Sequence, residues 1–468
     1  MSLINVLKEL FIHPNIVEII ADIYCGDSTD LYLNKEKILN IEISSGVRQG
    51  CTLSALLFIL VTYKIIDSIQ RLQLGYHNED FNISSLFYMD DAAIFFEDEF
   101  KMRSAIGRIE NICGKYGLRL NKQKCKILRI NVDSGEDEIE GIQVVQSVKY
   151  LGVLIDNKKK CFEAQKAKIF NNGNKYVAQI FSILGGCCNR MLIGKTYWKG
   201  LVLQVLLYCA EIIQFNDEEL KKLQTFDNKA YRLILKVPDY TAIEFLWGEI
   251  GASSAKARDL KNKLLFLKHS ISPGGNKLLS ELVHDDMEHK KTNWSKVTHK
   301  YLNLLGKTME QIRNMKKSEI ERAVIQWDND KWRDDMASKR TMERYRNNKS
   351  KPEEVTWFRN DYKCSLMMRA RSDSLSLGWR GLSEDRNKSC KLCNTPVETL
   401  KHFILECCPL QQSRMRFAIL QFPRPENTDI LLNNILLFDT NLELDKYVAF
   451  DIIATLWNKR NNLIENIN

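Results

Sequence analysis

The chain has 468 residues, enough for two to four domains with cores of their own. Apolar residues make up 44% and charged residues 27%, the balance of a soluble globular protein rather than of a disordered or many-spanning one. The longest apolar stretch, Cys51 to Tyr63, is too short to span a bilayer, and the start MSLINVLKELF lacks a signal peptide's basic region and cleavage site.

In chain order, Leu3, Val6, Leu7 and Leu10 repeat at helical spacing, as do Ile16, Ile19, Ile20 and Ile23. His13-Pro14-Asn15 separates the two, because proline disfavours helix at the residue before it. Leu31–Leu33 and Ile38–Ile43 predict short strands. The loop Gly46-Val47-Arg48-Gln49-Gly50 leads into an apolar helix from about Leu53 to Leu72. Then comes LFYMDDAAIFF, Leu86 to Phe96, two aromatic and β-favouring runs around Asp90-Asp91, which predicts a hairpin with the two acids as its turn. Met102–Tyr116 predicts an amphipathic helix stopped by Gly117, and Cys125–Val132 and Val144–Ile155 predict strands. Beyond residue 160 strand signals fade and helical periodicity continues to about 350. Ser372–Leu410 is irregular and cysteine-rich, and Lys446–Ile467 is helical again. The expected fold class is α+β in the first third and mainly α thereafter.

Two like charges between apolar runs have two explanations. Asp90 and Asp91 are solvated turn residues, or the tip holds a divalent cation whose positive charge removes their repulsion. The neighbouring motifs bear on the choice. GVRQGCTLSALLF (46–58), LFYMDDAAIFF (86–96), GLRLNKQKCK (117–126) and VKYLGVLI (148–155) stand in an order and at a spacing that resemble the reverse transcriptases of non-LTR (LINE-type) retrotransposons.

The resemblance implies a partial reverse-transcriptase palm, an antiparallel sheet with helices, over residues 1–160. A basic, helical, thumb-like region would follow at 161–350, a linker and zinc knuckle at 351–410, and a helical tail at 411–468. It implies RNA-directed DNA synthesis by two-metal nucleotidyl transfer. The partners would be an RNA template, a DNA primer or target and deoxynucleoside triphosphates, with Mg²⁺ as cofactor. Asp90 would be the direct metal ligand and Asp91 an auxiliary one. Lys124 would lie by the departing pyrophosphate, with a surface lysine as its plain alternative. Arg48, Gln49 and Gly50 would line the nucleotide and template, and Tyr150, Leu151 and Gly152 would form the primer grip. The family's palm also carries a third carboxylate on a strand upstream of a helix like Leu3–Leu10, and that strand is not in this sequence. The expectation is an N-terminally truncated chain that does not polymerise alone.

Thirteen cysteines are scattered as reduced thiols would be, which points to an intracellular protein, nuclear or cytoplasmic, with no membrane partner. Cys390, Cys393, His402 and Cys407 form C-x2-C-x8-H-x4-C, a spacing suited to structural zinc. The cluster also resembles the C-terminal zinc knuckle of LINE-type elements, whose pattern often ends in Cys-Pro. Cys407-Cys408-Pro409 therefore leaves Cys407 or Cys408 as the fourth ligand.

The net charge is +9, and between Met287 and Lys351 seventeen Lys and Arg stand against nine Asp and Glu. Trp294, Trp327, Trp332 and Tyr345 are interleaved with them. Such a mixture suits a phosphate backbone with unstacked bases, or else a solvated helical face with its aromatics in the core. A second functional expectation follows, a non-catalytic nucleic-acid-binding remnant of a retroelement. Oligomeric state is not legible.

Overall fold

The computed structural model describes residues 3–43, 46–48, 50–77, 82–132, 135–158, 161–187, 189–359, 361–378, 388–421, 428–438 and 445–466. The chain divides into two units, Met1–Gln165 and Lys166–Asn468. The helical stretch to 350, the cysteine-rich segment and the tail are all gathered into the second.

The first unit opens with α1 (Leu3–Glu9) and α2 (Pro14–Tyr24). Pro14 sits at the first turn of α2, where its missing N–H costs nothing, and His13 caps the end by accepting from the Asn15 N–H. A hairpin of β1 (Ser28–Leu33) and β2 (Glu36–Glu42) follows, turned by Asn34 and Lys35, both at positive φ. Every residue of this hairpin is exposed.

The helix α3 (Thr52–Gln70) joins two parts of the core. Its Leu57 packs with Leu7, Val17 and Ile20, whereas Ile65 and Ile69 pack with Ala105 and Ile109 of α4 (Glu99–Lys115). Full burial of such side chains stabilises the unit by roughly 1.5–3 kcal/mol each. At 19 residues α3 is long and apolar enough for a bilayer by length and composition, longer than the thirteen-residue stretch suggested. The extra length comes from Lys64 and Asp67, which end the apolar run but not the helix.

Between α3 and α4 lie β3 (Tyr76–His77), β4 (Asn82–Ile83), β5 (Ser85–Tyr88) and β6 (Asp91–Ile94). After α4 come β7 (Lys126–Leu128), β8 (Glu138–Ile139), β9 (Ile142–Val145), β10 (Ser147–Tyr150) and β11 (Val153–Asp156). One continuous antiparallel sheet does not form among the described residues. There are four separate two-stranded ladders, β1-β2, β3-β4, β5-β6 and β10-β11, and a three-stranded sheet β7-β9-β8 in which β7 and β9 run parallel. The stretch Val144–Ile155, expected as a strand, is broken by a turn at Leu151-Gly152, both at positive φ. The helix expected from Met102 starts earlier because Asp98 caps it, accepting from the Lys101 N–H.

The second unit is helical: α5 (Glu163–Leu184, its first residues in the first unit), α6 (Arg190–Lys195), a π-helical segment Thr196–Val202, α7 (Leu203–Leu206), α8 (Asp217–Leu235), α9 (Ile243–Ile250) and α10 (Ala255–Ile271). It continues with α11 (Lys277–His289), α12 (Asn293–Leu304), α13 (Met309–Asn314), α14 (Lys317–Ala337), α15 (Glu343–Asn348) and α16 (Tyr362–Arg371). The last helices are α17 (Gln411–Arg414), α18 (Ala418–Gln421), α19 (Thr428–Ile435) and α20 (Lys446–Glu465).

Buried charge ties these helices together. Glu249 of α9 is fully buried and pairs with Arg371 of α16 at 3.0 Å, while Tyr345 of α15 donates its hydroxyl to the same carboxylate at 2.8 Å. Arg371 also donates to the Leu437 carbonyl at 2.8 Å and lies 4.2 Å from the Phe438 ring centroid. Asp227 of α8 accepts from the Trp198 indole at 2.8 Å and pairs with Arg258 of α10. Each charge is desolvated and ion-paired, so removal of one partner costs far more than removal of both. Arg371→Met therefore leaves Glu249 short of its main cation. It should lower stability by about 3–5 kcal/mol, read as a fall in the urea midpoint. Arg371→Met combined with Glu249→Gln should recover part of that loss, and an Arg371→Met midpoint unchanged from the parent would contradict this account.

Candidate active site and metal centre

The hairpin β5-β6 pairs Phe87 with Ala92 and Tyr88 with Asp91. The two-residue turn is thus Met89-Asp90, one position earlier than the acids alone predict, and Asp91 is the first residue of β6. Met89 takes the left-handed conformation at φ +54°, which costs a non-glycine residue on the order of 1 kcal/mol. Strand alternation sets the faces. Phe87 and Ile94 turn toward the α3–α4 core, whereas Leu86, Tyr88 and Asp91 share the opposite, exposed side. Asp90 is exposed at the tip.

The turn of β10-β11 carries Tyr150, Leu151 and Gly152. Leu151 and Gly152 have φ of +46° and +88°, as a two-residue hairpin turn of the I′ kind requires. Partial burial pushes the Tyr150 phenol up, and the charge of Asp91 pushes it further. Asp91 and Tyr150, 59 residues apart in sequence, are therefore close enough to interact.

Arg48 is committed to the protein. Its guanidinium donates to both oxygens of Asp27, at 2.6 and 2.7 Å, and to the Ile23 carbonyl at 3.1 Å. These bonds to Asp27 raise the Arg48 pKa and lock the loop to the end of α2. Nothing local in the sequence singles out Asp27, because its partner stands 21 residues away. Gln49 lies outside the described residues. Gly50 has φ +85°, and a Cβ there would meet nothing within 4 Å, so it is the backbone angle that calls for glycine and the space beside it is open.

Three lysines follow α4. Lys122 pairs with Glu110 at 3.0 Å, and Lys126 donates to Gln143 at 2.7 Å. Lys124 is held through its backbone N–H, which donates to Asn121, and among the described residues its ammonium has no protein partner. Lys124 and Lys126 are both exposed, and of the three only Lys122 has a carboxylate partner among the described residues.

In the second unit Cys390, Cys393, His402 and Cys407 bring one donor atom each to within 4.8 Å of all the others. The Sγ atoms of Cys390 and Cys407 are 3.8 Å apart, and Cys393 Sγ is 3.3 Å from His402 Nε2. A tetrahedral zinc with Zn–S of about 2.3 Å and Zn–N of about 2.0 Å separates such donors by roughly 3.5–3.8 Å, so the set fits that ion. Cys408 is exposed and its thiol is directed to the Glu406 carbonyl.

The local backbone explains the choice between the two cysteines. Residues five apart on an α-helix are about 140° from sharing a face. His402–Glu406 instead winds as a π-helical turn closed by Cys407 N–H donating to the His402 carbonyl at 2.8 Å, which brings 402 and 407 together. On the other arm, Asn394 at φ +59° turns the chain so that Cys390 N–H reaches the Thr395 carbonyl at 2.9 Å. Burial, then the adjacent thiols, holds the Cys407 thiol well above its ordinary range, and burial also raises Cys390. A divalent cation would supply the charge that lets them ionise.

The groups that support this cluster carry no local signal in the sequence. Glu398, 1% exposed, lies 3.6 Å from Cys390 Sγ and accepts two bonds from Arg460 of α20, both 2.7 Å. It also accepts from the Gly378 N–H at 2.7 Å. Trp457 of α20 meets Phe403 edge-on at 6.0 Å. The aromatics of the basic segment are also placed. Trp294, Trp332 and Tyr345 are 7%, 1% and 2% exposed, and the two indoles donate to the Glu211 and Glu244 carbonyls at 2.8 Å. They are core residues and not a base-stacking surface. Trp327 is part-buried against the same core, with Lys331 over its ring at 5.8 Å.

Residues 2–155, about a third of the chain, match the family described as reverse transcriptase (RNA-dependent DNA polymerase). The match coincides with the first unit, and it supports RNA-directed DNA polymerase chemistry acting on a nucleic-acid template and deoxynucleotides.

Buried and exposed thiols should separate kinetically. In the native protein Cys408, Cys25 and Cys161 are expected to alkylate first and Cys390 and Cys407 last, as read by timed iodoacetamide labelling and peptide mass spectrometry. Equal rates at Cys407 and Cys408 would contradict the placement.

Proposed function

We propose that the chain is a reverse transcriptase of the non-LTR, LINE-like kind, whose Asp90 and Asp91 hold magnesium and whose Tyr150-Leu151-Gly152 turn grips the primer end. The observation that supports this is the influence of the Asp91 charge on Tyr150, which links one acid of the pair to the Tyr150-Leu151-Gly152 turn within the matched residues. Hard cations favour carboxylate oxygens, and a short hairpin gives Asp90 a rigid base. When bound, the metals would offset negative charge on the reacting phosphates. Lys124, with its charge unpartnered, suits the departing pyrophosphate. Gly50, with open space beside it, suits close approach of nucleotide or template, a role Gln49 would share. Arg48 would act indirectly, holding that loop through Asp27.

Among the described residues no third carboxylate joins Asp90 and Asp91 in a cluster. Two ligand arms bind Mg²⁺ weakly, so the 468-residue polypeptide by itself is expected to show no Mg²⁺-dependent primer extension on an RNA template. Extension abolished by Asp90→Ala would uphold the site and refute its incompleteness. Extension indifferent to Asp90→Ala would refute the site.

Cys390, Cys393, His402 and Cys407 would hold structural zinc, with all four positions filled by protein and none left for chemistry. Metal analysis of the purified chain should give one zinc, lost in Cys407→Ser and kept in Cys408→Ser. Retention in both, or loss in Cys408→Ser alone, would count against Cys407 as the ligand.

A second reading is a nucleic-acid-binding protein without polymerase activity. The observation favouring it is an open concavity beside α12 lined by Lys290, Lys296 and Lys300, and duplex binding without extension would distinguish it.

A further inference from the structure

The three thiols of the four-donor cluster differ in access. Cys390 and Cys407 are 0% and 1% exposed, with their Sγ atoms 3.8 Å apart, whereas Cys393 is part-exposed. The Cys393 sulfur lies 3.1 Å from the Thr395 hydroxyl and 3.3 Å from His402 Nε2, and within 4.8 Å of both other sulfurs. The two buried thiols stand on separate arms, Cys390 before the Asn394 turn and Cys407 at the end of the π-helical turn. A bond between them would tie the arms together as a shared metal does. The exposed Cys408 is a poor partner for Cys407. Cα atoms joined by a trans peptide are about 3.8 Å apart, closer than the ~4.4 Å at which disulfides usually begin.

We propose that the metal-free cluster is a thiol–disulfide site, in which Cys390 and Cys407 close a disulfide, Cys393 is the entry thiol and a small disulfide such as glutathione disulfide is the oxidant. The Cys393 thiolate attacks one sulfur of the oxidant, forms a mixed disulfide and expels one glutathione thiolate. Cys407 then attacks the Cys393 sulfur and expels the second. Cys390 attacks Cys407 in turn, and Cys393 leaves as a thiolate. In sum two protein thiols lose two electrons and two protons, and one glutathione disulfide becomes two glutathione thiols. Exchange is reversible, so the placement of the sulfurs and not the order of access decides the final pairing. Closure takes the two sulfurs from 3.8 Å to about 2.05 Å, and it leaves Cys393 with its Thr395 and His402 contacts. The product is neutral, which suits the buried Glu398 that faces Cys390 at 3.6 Å. A bound metal would occupy the same sulfurs and withhold them from attack. The proposal rests on the arrangement of the thiols and not on the zinc reading.

The test uses the full chain, treated with EDTA and equilibrated with oxidised glutathione. Free thiols are trapped with N-ethylmaleimide, and the links are mapped by non-reducing peptide mass spectrometry. A Cys390–Cys407 link should be the main species at equilibrium. Cys393→Ser should reach the same link several-fold more slowly, whereas Cys408→Ser should match the parent in rate and product. Pairing is read on the parent chain, so it does not depend on a variant folding, and melting temperatures matched to the parent validate the rates. Added Zn²⁺ should suppress closure. Closure equally fast with and without Zn²⁺ would refute the zinc reading and leave the pairing standing. The proposal is overturned if no link forms, if Cys390–Cys393, Cys393–Cys407 or a glutathione adduct is the main species, or if loss of Cys408 rather than of Cys393 slows closure.

Discussion

Like charge at the tip of a two-stranded hairpin is the constraint around which the first unit is arranged. A ladder of four pairs has little stability of its own in water. This one is held because Phe87 and Ile94 reach the core that Ile65, Ile69, Ala105 and Ile109 build between α3 and α4. Apolar packing on one face is what allows two carboxylates on the other. Met89 shows the same balance at one residue, because a left-handed methionine survives only where its surroundings determine the conformation. The result is a mount with an exposed acidic end, and the charge of Asp91 on it is felt by Tyr150.

The two acids are legible in the sequence because their flanks are so strongly β-favouring, and the turn is displaced by one residue because methionine gives no sign of adopting positive φ. The start of α4 is legible in principle from Asp98 and is obscured by the exposed Phe100, which breaks the apolar period. The parallel pairing of β7 with β9 is not legible at all. Each strand is three or four residues long, and only its neighbours decide its direction. Arg48 shows a different limit, since a guanidinium in a glycine-rich loop looks like a phosphate ligand until its carboxylate is found elsewhere in the chain.

The basic segment mixes lysines and tryptophans in sequence and sorts them in space. A rotation of about 100° per residue carries Trp294 inward and Lys296 outward although they are two residues apart. Composition over this stretch therefore suggests one surface bearing both, whereas the helical period separates a core from a charged face. The charge survives this sorting as a candidate phosphate contact, and the aromatic contribution does not. What remains can hold a backbone but has little with which to recognise a base.

The four-donor cluster has a role in the fold beyond its own loop. Its segment is irregular, and it packs through buried Leu400, Phe403, Ile404, Leu405 and Leu410. Glu398, between the donors in sequence, is buried against Arg460 of α20, and Phe403 meets Trp457 there. The cluster and α20 thus share a charge pair and a ring contact across 62 residues of chain. Glu398 faces Cys390 as well as Arg460, so its negative charge resists ionisation of the thiol while the guanidinium offsets that charge. A cation among the donors and the guanidinium of Arg460 would act in the same direction on Glu398. With a cation bound, closure of the loop and docking of α20 would be coupled through Glu398. Three of the four donor residues, Cys390, His402 and Cys407, are 5% exposed or less, so the cluster lies mostly inside the fold, where it meets α20.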